Sequence, residues 1–192
     1  MPSTQYTTLS PARLAEELSA TARDASTAFG NLGDTQLNWQ PDAGSWSIAQ
    51  CFDHLLKTEH GMRQSIRRAL DPGMAPTVWQ RLPLWARLSG WMLVTSQAPG
   101  GKQKYKAPAS ARPAASDIAP GTIERFIAWQ QQGIAEVREL GEADGRRIMV
   151  SPFAAQITYS VLDGYRLIAA HQRRHFDQAM RVMAHPAFPR SR

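Results

Sequence analysis

A single cysteine, Cys51, occurs among the 192 residues, so no disulfide can form within the chain. That economy fits a reducing cytoplasm. Long apolar runs are missing as well. The best stretch, Leu82 to Val94, is too short to span a bilayer and contains Arg87. No basic segment followed by an apolar one opens the sequence, so no secretory signal is read there and a cytoplasmic location is expected. Strand-like alternation does not persist anywhere, and no internal repeat is visible, which argues against sheet and solenoid architectures. Acidic residues are in deficit: 16 Asp and Glu against 22 Lys and Arg leave a net charge of +6. The positives are scattered at helix-surface spacing, and the densest cluster is Arg173, Arg174 and Arg181. A solvated basic surface is the first reading of that pattern. An anion-attracting rim comes second, and a nucleic-acid face a distant third.

The 43% of hydrophobic residues suffices for a real core, and the length suits one domain over residues 1–192. Four long helices are predicted. The first runs from Pro11 to about Phe29, capped by Ser10, with Leu14, Leu18, Ala22, Ala25 and Phe29 forming one apolar stripe. The second follows Ser47 and ends at Asp71-Pro72-Gly73; Ser47 and Gln50 have the spacing of a capping box. The third spans Thr122 to Leu140, stopped by Gly141, and the last spans Thr158 to Ala184. Between them, Trp79 to Val94 reads as a short helical piece broken by Pro83 and Gly90. Residues 95–119 read as a long loop rich in Pro, Ala, Gly, Ser and Lys. The expected fold is all-α, an up-and-down four-helix bundle with an inserted loop and short-helix region. Trp79, Trp85 and Trp91 on the insert suit core packing first and a docking surface second.

Three histidines carry the chemistry. His171 and His175 stand four apart on the last predicted helix, which puts their Cβ atoms about 5–6 Å apart on one face. His54 lies on the second helix. Two such imidazoles can grip one divalent ion, with nitrogens about 2.0–2.1 Å from zinc, and a third from another helix would leave positions open for substrate. His171 and His175 share a sector with Ser160, Gly164, Gln178 and Val182; His54 shares one with Gln50, Thr58, Gly61 and Ser65. Small and polar neighbours suit a site better than a sealed core. Mid-helix glycine costs about 1 kcal/mol against alanine, so Gly61 and Gly164 invite an explanation, of which space for a ligand is one. The bland alternative is a set of histidines satisfied by backbone or carboxylates. The zinc-protease pattern H-E-x-x-H is excluded, because Gln172 stands where a proton-accepting glutamate would be needed. Cys51 reads as buried filler, Asp53 and Gln178 as groups that could orient an imidazole, and His60 and His185 as surface residues.

The segment Trp46-Ser47-Ile48-Ala49-Gln50 leading to His54-Leu55, coupled to the late His171-Gln172-Arg173-Arg174-His175, resembles the DinB-like (YfiT-like) superfamily. The loop Lys104-Tyr105-Lys106-Ala107-Pro108 and the tail His185-Pro186-Ala187-Phe188-Pro189 resemble a subgroup of it. The resemblance covers essentially the whole chain. It implies a four-helix bundle of characteristic connectivity, frequent homodimers, and a divalent metal held by His54, His171 and His175. Zinc, nickel or iron head the candidates for that metal. Characterised relatives include thiol S-transferases that use bacillithiol or glutathione, and mycothiol-dependent isomerases. The expectation is therefore a metal-dependent enzyme acting on a small-molecule substrate, a low-molecular-weight-thiol S-transferase or a hydrolase, with a thiol as an additional cofactor in the first case. The alternative is a non-catalytic bundle that binds a small ligand or a protein partner in a stress response. Neither reading calls for a membrane or a nucleic acid.

Overall fold

The computed structural model describes residues 3–100, 107–115 and 117–190. Four long helices dominate it: α1 (Pro11–Phe29), α3 (Ile48–Leu70), α5 (Thr122–Glu139) and α7 (Val161–Met183). Short helices α2 (Asp34–Asn38) and α6 (Glu142–Gly145) lie between them, and α4 (Pro83–Gln97) fills much of the insert. The expected caps are in place. Ser10 Oγ accepts from the Arg13 amide ahead of Pro11. Ser47 and Gln50 close a capping box, each side chain accepting from the other's backbone N–H at 3.1 and 3.0 Å.

The four long helices form a bundle in which α1 packs mainly on α5 and α7, and α3 mainly on α7 and α5. Contact pairs give their directions. Along α3 and α7 the partners run in opposite order, His54 with His171 and Ile66 beside Gly164. Along α3 and α5 they rise together, Phe52 with Phe126, Glu59 with Gln130, and Arg63 with Glu136. Along α1 and α7 they also rise together, from Leu9–Arg166 to Phe29–Phe176. Parallel neighbours α3 and α5 cannot be joined by a tight turn, and the chain spends residues 71–121 on that crossover. The bundle thus contains parallel as well as antiparallel neighbours.

The insert departs from expectation in two ways. Gly90 does not break α4, which is continuous to Gln97. A Cβ at Gly90 would lie 2.8 Å from Asp163 Oδ2 and 3.1 Å from Tyr159 Cβ, so the glycine allows α4 to lie close against its neighbours. Trp79, Trp85 and Trp91 are not core residues: they are 42, 38 and 54% exposed. A further departure, outside the insert, is a hairpin, β1 (Ile148–Ser151) with β2 (Ala154–Ser160), antiparallel with Met149 opposite Tyr159. The start of the last predicted helix is in fact the end of β2. The sequence hides this strand because its inner residues, Thr158 and Tyr159, are consecutive rather than alternating. α4 covers the free edge of β2: Trp85 Nε1 donates to the Gln156 carbonyl and Ser89 Oγ to that of Thr158.

The same hairpin lies against two mid-helix glycines. A Cβ at Gly61 would sit 3.4 Å from Pro152, and one at Gly164 would sit 2.7 Å from Met149 Sδ. Close approach of the hairpin, rather than space for a ligand, explains Gly164; at Gly61 a Cβ would make only an ordinary contact with Pro152. The loop 104–108 lies mostly outside the described residues; Ala107 and Pro108 lead into a 3-10 turn at Ala109–Ala111.

Gly90→Val is expected to lower stability by about 1–3 kcal/mol through overpacking, despite removing a glycine from a helix. Urea unfolding checks it. Unchanged stability would show that α4 can move away from Tyr159 and Asp163 at little cost.

Candidate metal centre

His54 stands early in α3, and His171 and His175 occupy the middle of α7. The antiparallel register brings the three rings together. His171 Nε2 lies 3.2 Å from His54 Nε2 and 3.1 Å from His175 Nε2. One ligating nitrogen from each residue falls within 4.8 Å of the others. Two nitrogens each about 2.0–2.1 Å from one ion lie roughly 3.0–3.4 Å apart, so the spacing suits a shared ion. Without one, nitrogens that face each other this closely can be reconciled only by protons between them. The donor set therefore fits a divalent metal, and two further features strengthen the fit.

The first is the state of the rings. Burial pushes all three pKa values down. For His171 the neighbouring His175 and His54 add to the effect and hold it well below the usual histidine value. Burial, His54 and Arg174 bring His175 to about 3, with the Gln178 side chain opposing them. His54 is lowered by burial and partly restored by its backbone acceptor. Neutral imidazoles are the form that binds metal.

The second is the orientation of His54. Its Nδ1–H donates to the Ala111 carbonyl at 2.5 Å, which leaves the Nε2 lone pair directed at the other two rings. Three side chains of α3 hold the segment that carries this carbonyl. Gln50 Nε2 donates to the Ala114 carbonyl, Asp53 accepts from the Ala114 N–H, and Lys57 donates to the Arg112 carbonyl. Asp53 thus orients His54 only through the backbone of that segment, with Lys57 as its other partner. Trp46 closes one side, with ring centroids 4.9 Å from His54 and 5.6 Å from His175.

The rings line a cavity of about 1480 Å³. Arg112, Arg174 and Arg181 also line it, as do Thr58 and Glu59. Thr58 Oγ1 is buried there without a hydrogen-bond partner. Cys51 is fully buried in the apolar core with Phe52 and Leu55, outside the histidine group, and burial pushes its thiol up to about 12, so it serves as packing. His60 is exposed beside Gln64. His185 is only half-buried but packs on Trp39 and reaches the cavity wall, so it is more than a surface residue.

Glu59 does not emerge from the histidine spacing, and its signal is a different one. It sits four after Leu55 and three before Met62, a position where the stripe calls for an apolar residue. Gln130 and Gln172 occupy equivalent positions on α5 and α7, and the three meet. Gln130 and Gln172 each donate to one Glu59 oxygen, at 2.9 and 2.8 Å. Burial nevertheless raises the carboxyl to about 7, outweighing these amides and Arg63. Arg63, 2% exposed, is in turn clamped by Glu136 at 2.8 and 2.7 Å and lies over the Trp129 ring.

A raised carboxyl pKa means that the folded protein holds this proton after the unfolded chain has released it. The Glu59 contribution to stability is therefore full below about pH 4.5 and is lost as pH rises toward about 7. Glu59→Gln is expected to remove that decline, so the stability difference between variant and wild type should become more favourable to the variant across the interval. Urea unfolding at several pH values measures it. A difference that does not change with pH would show that Glu59 stays ionised throughout.

The pattern of the DinB superfamily matches residues 17–179. The uncharacterized protein YuaE of Bacillus subtilis (strain 168) is 25% identical over 152 residues, covering 79% of this chain and 85% of that protein. Among solved structures, one is described as "YfiT from Bacillus subtilis is a probable metal-dependent hydrolase with an unusual four-helix bundle topology". It matches with a TM-score of 0.53 and 16% identity, over 91% of this chain and 86% of its own. With the family pattern running from within α1 to the last turns of α7, the chain belongs to the DinB superfamily.

Proposed function

We propose that the chain is a metal-dependent enzyme in which His54, His171 and His175 hold one divalent ion against the cavity, and that it hydrolyses a small anionic molecule. The observation that carries this reading is the meeting of three neutral imidazoles through Nε2, with the opposite nitrogen of His54 committed to Ala111. A divalent ion held there supplies Lewis acidity, bringing deprotonation of water or a thiol toward neutral pH.

The chain's own residues would do the rest. Arg112, Arg174 and Arg181 favour a substrate carrying carboxylate or phosphate. Trp46 shields His54 and His175 from water on its side. Glu59, titrating near neutrality and lining the cavity, can hold or release a proton at a carboxylate oxygen. Hydrolysis is in line with what is said of YfiT, and the shared fold supports the comparison. S-transfer from a low-molecular-weight thiol is the second reading. The same three arginines would then meet the carboxylates of the thiol. The non-catalytic alternative predicts histidines shut off from any cavity; these three rings, though largely buried, line one, which supports the enzyme reading.

Plasma mass spectrometry on untagged protein purified without chelators is expected to find about one divalent ion per chain. His54→Ala and His171→Ala should each lose it. Full occupancy in either variant would sink the three-ligand arrangement. Absence of metal from the wild type, with no uptake on titration, would favour the non-catalytic bundle.

A further inference from the structure

Among the described residues, every large hydrophobic side chain that is exposed falls between residues 74 and 92. Leu84, Leu88, Trp91 and Met92 follow one another at spacings of four, three and one, forming a single outward face of α4, and Leu84 is 83% exposed. Val78 and Trp79 extend the patch through the preceding turn. The inward face is made of small residues, Ala86, Ser89, Gly90 and Val94. The helix is thus inverted relative to a normal surface helix: its bulky apolar side chains face out. An apolar patch of this kind marks an interaction surface.

We propose that this face docks onto an anionic lipid bilayer. Charge identifies the occupant. The sequence has no aspartate or glutamate between Asp71 and Asp117. Two exposed cations, Arg81 and Arg87, lie within the patch. The acid that comes close to α4, Asp163, sits on the inward side and is paired with Arg166 at 2.9 Å. A second copy meeting this face symmetrically would bring four arginines into one interface with no acid in the patch to receive them. An acidic phospholipid surface receives them instead, with the guanidinium groups at phosphate depth and the tryptophan, leucine and methionine side chains below. α4 is not long enough to cross the bilayer, so the association lies in the plane of the interface. The inner side of the same helix contributes Leu93 and Ser96 to the cavity wall, so the docked surface and the candidate metal centre share one element.

The test is co-sedimentation of the full chain with vesicles of phosphatidylcholine, with and without about one third phosphatidylglycerol. Binding is expected only with the anionic vesicles, and raising salt to about 0.5 M should weaken it roughly tenfold or more. Leu88→Ser with Trp91→Ser, and separately Arg81→Gln with Arg87→Gln, should each abolish it while thermal unfolding stays as in wild type. All four side chains are exposed, and the arginine pair keeps the test open if the apolar pair disturbs folding. No binding to anionic vesicles at low salt would overturn the proposal, as would equal binding to neutral ones. So would a concentration-dependent dimer in analytical ultracentrifugation that the Trp91 variant loses, since the face would then belong to a second copy.

Discussion

The antiparallel register of α3 against α7 is the constraint on which the rest depends. It is held by a buried polar connection rather than by apolar packing alone. Gln172 Nε2 reaches Glu59 at 2.8 Å and Gln130 Oε1 at 2.7 Å, tying α7 to both α3 and α5 at one level. A slip of one turn would strand the buried Gln172 amide and take one hydrogen bond from Glu59, an expensive outcome in a low-dielectric core. Apolar surfaces tolerate such slips far better. The same register places His54 level with His171 and His175, so the polar connection that locks the bundle also assembles the three imidazoles. Gln172 has a double significance: it rules out one kind of metalloprotease chemistry, and it supplies the amide that fixes the helices bearing the three histidines.

A second level of organisation comes from the crossover. Because α3 and α5 are parallel neighbours, the connection between them must travel the length of the bundle, and the molecule uses that length. One part becomes α4, which covers the edge of the hairpin and walls the cavity. Another part, around Ala109–Ala114, lies across the start of α3, where Gln50, Asp53 and Lys57 bind its backbone. That segment delivers the Ala111 carbonyl to His54. The orientation of His54 therefore rests on a loop whose own composition, rich in alanine and proline, carries no chemical signal.

α4 also reveals a tension between packing and exposure. Its small residues face the protein because Gly90 must lie against Tyr159 and Asp163, and the bulky residues are left outside as a consequence. A helix that mixes small and large apolar side chains has a weak directional pattern, and only the neighbour it packs against decides which side is inner. This is why the tryptophans read as core from composition and prove to be surface.

Local rules are written into consecutive residues, and those parts are legible. Caps at Ser10 and Ser47, the apolar stripes of the four long helices and the i, i+4 pairing of His171 with His175 all depend on backbone geometry within one or two turns. The meeting of His54 with that pair can be expected from spacing and from family resemblance, but local rules do not require it, since helix pairing is set by contacts remote in sequence. The hairpin is hidden because its strands are short and their inner residues do not alternate once α3 and α4 pack around them. Glu59 is legible only as an anomaly, a carboxylate in an apolar stripe. Its partners on two other helices, and the desolvation that lifts its pKa, come into being only when the three helices enclose their side chains together. The sequence by itself determined the four long helices, apart from the first turn of the last, and the residue types that can bind or exchange protons. The tertiary structure decided which of them meet, because burial and distance, the two quantities that bring three imidazoles face to face and lift the pKa of a carboxyl, exist only in the folded chain.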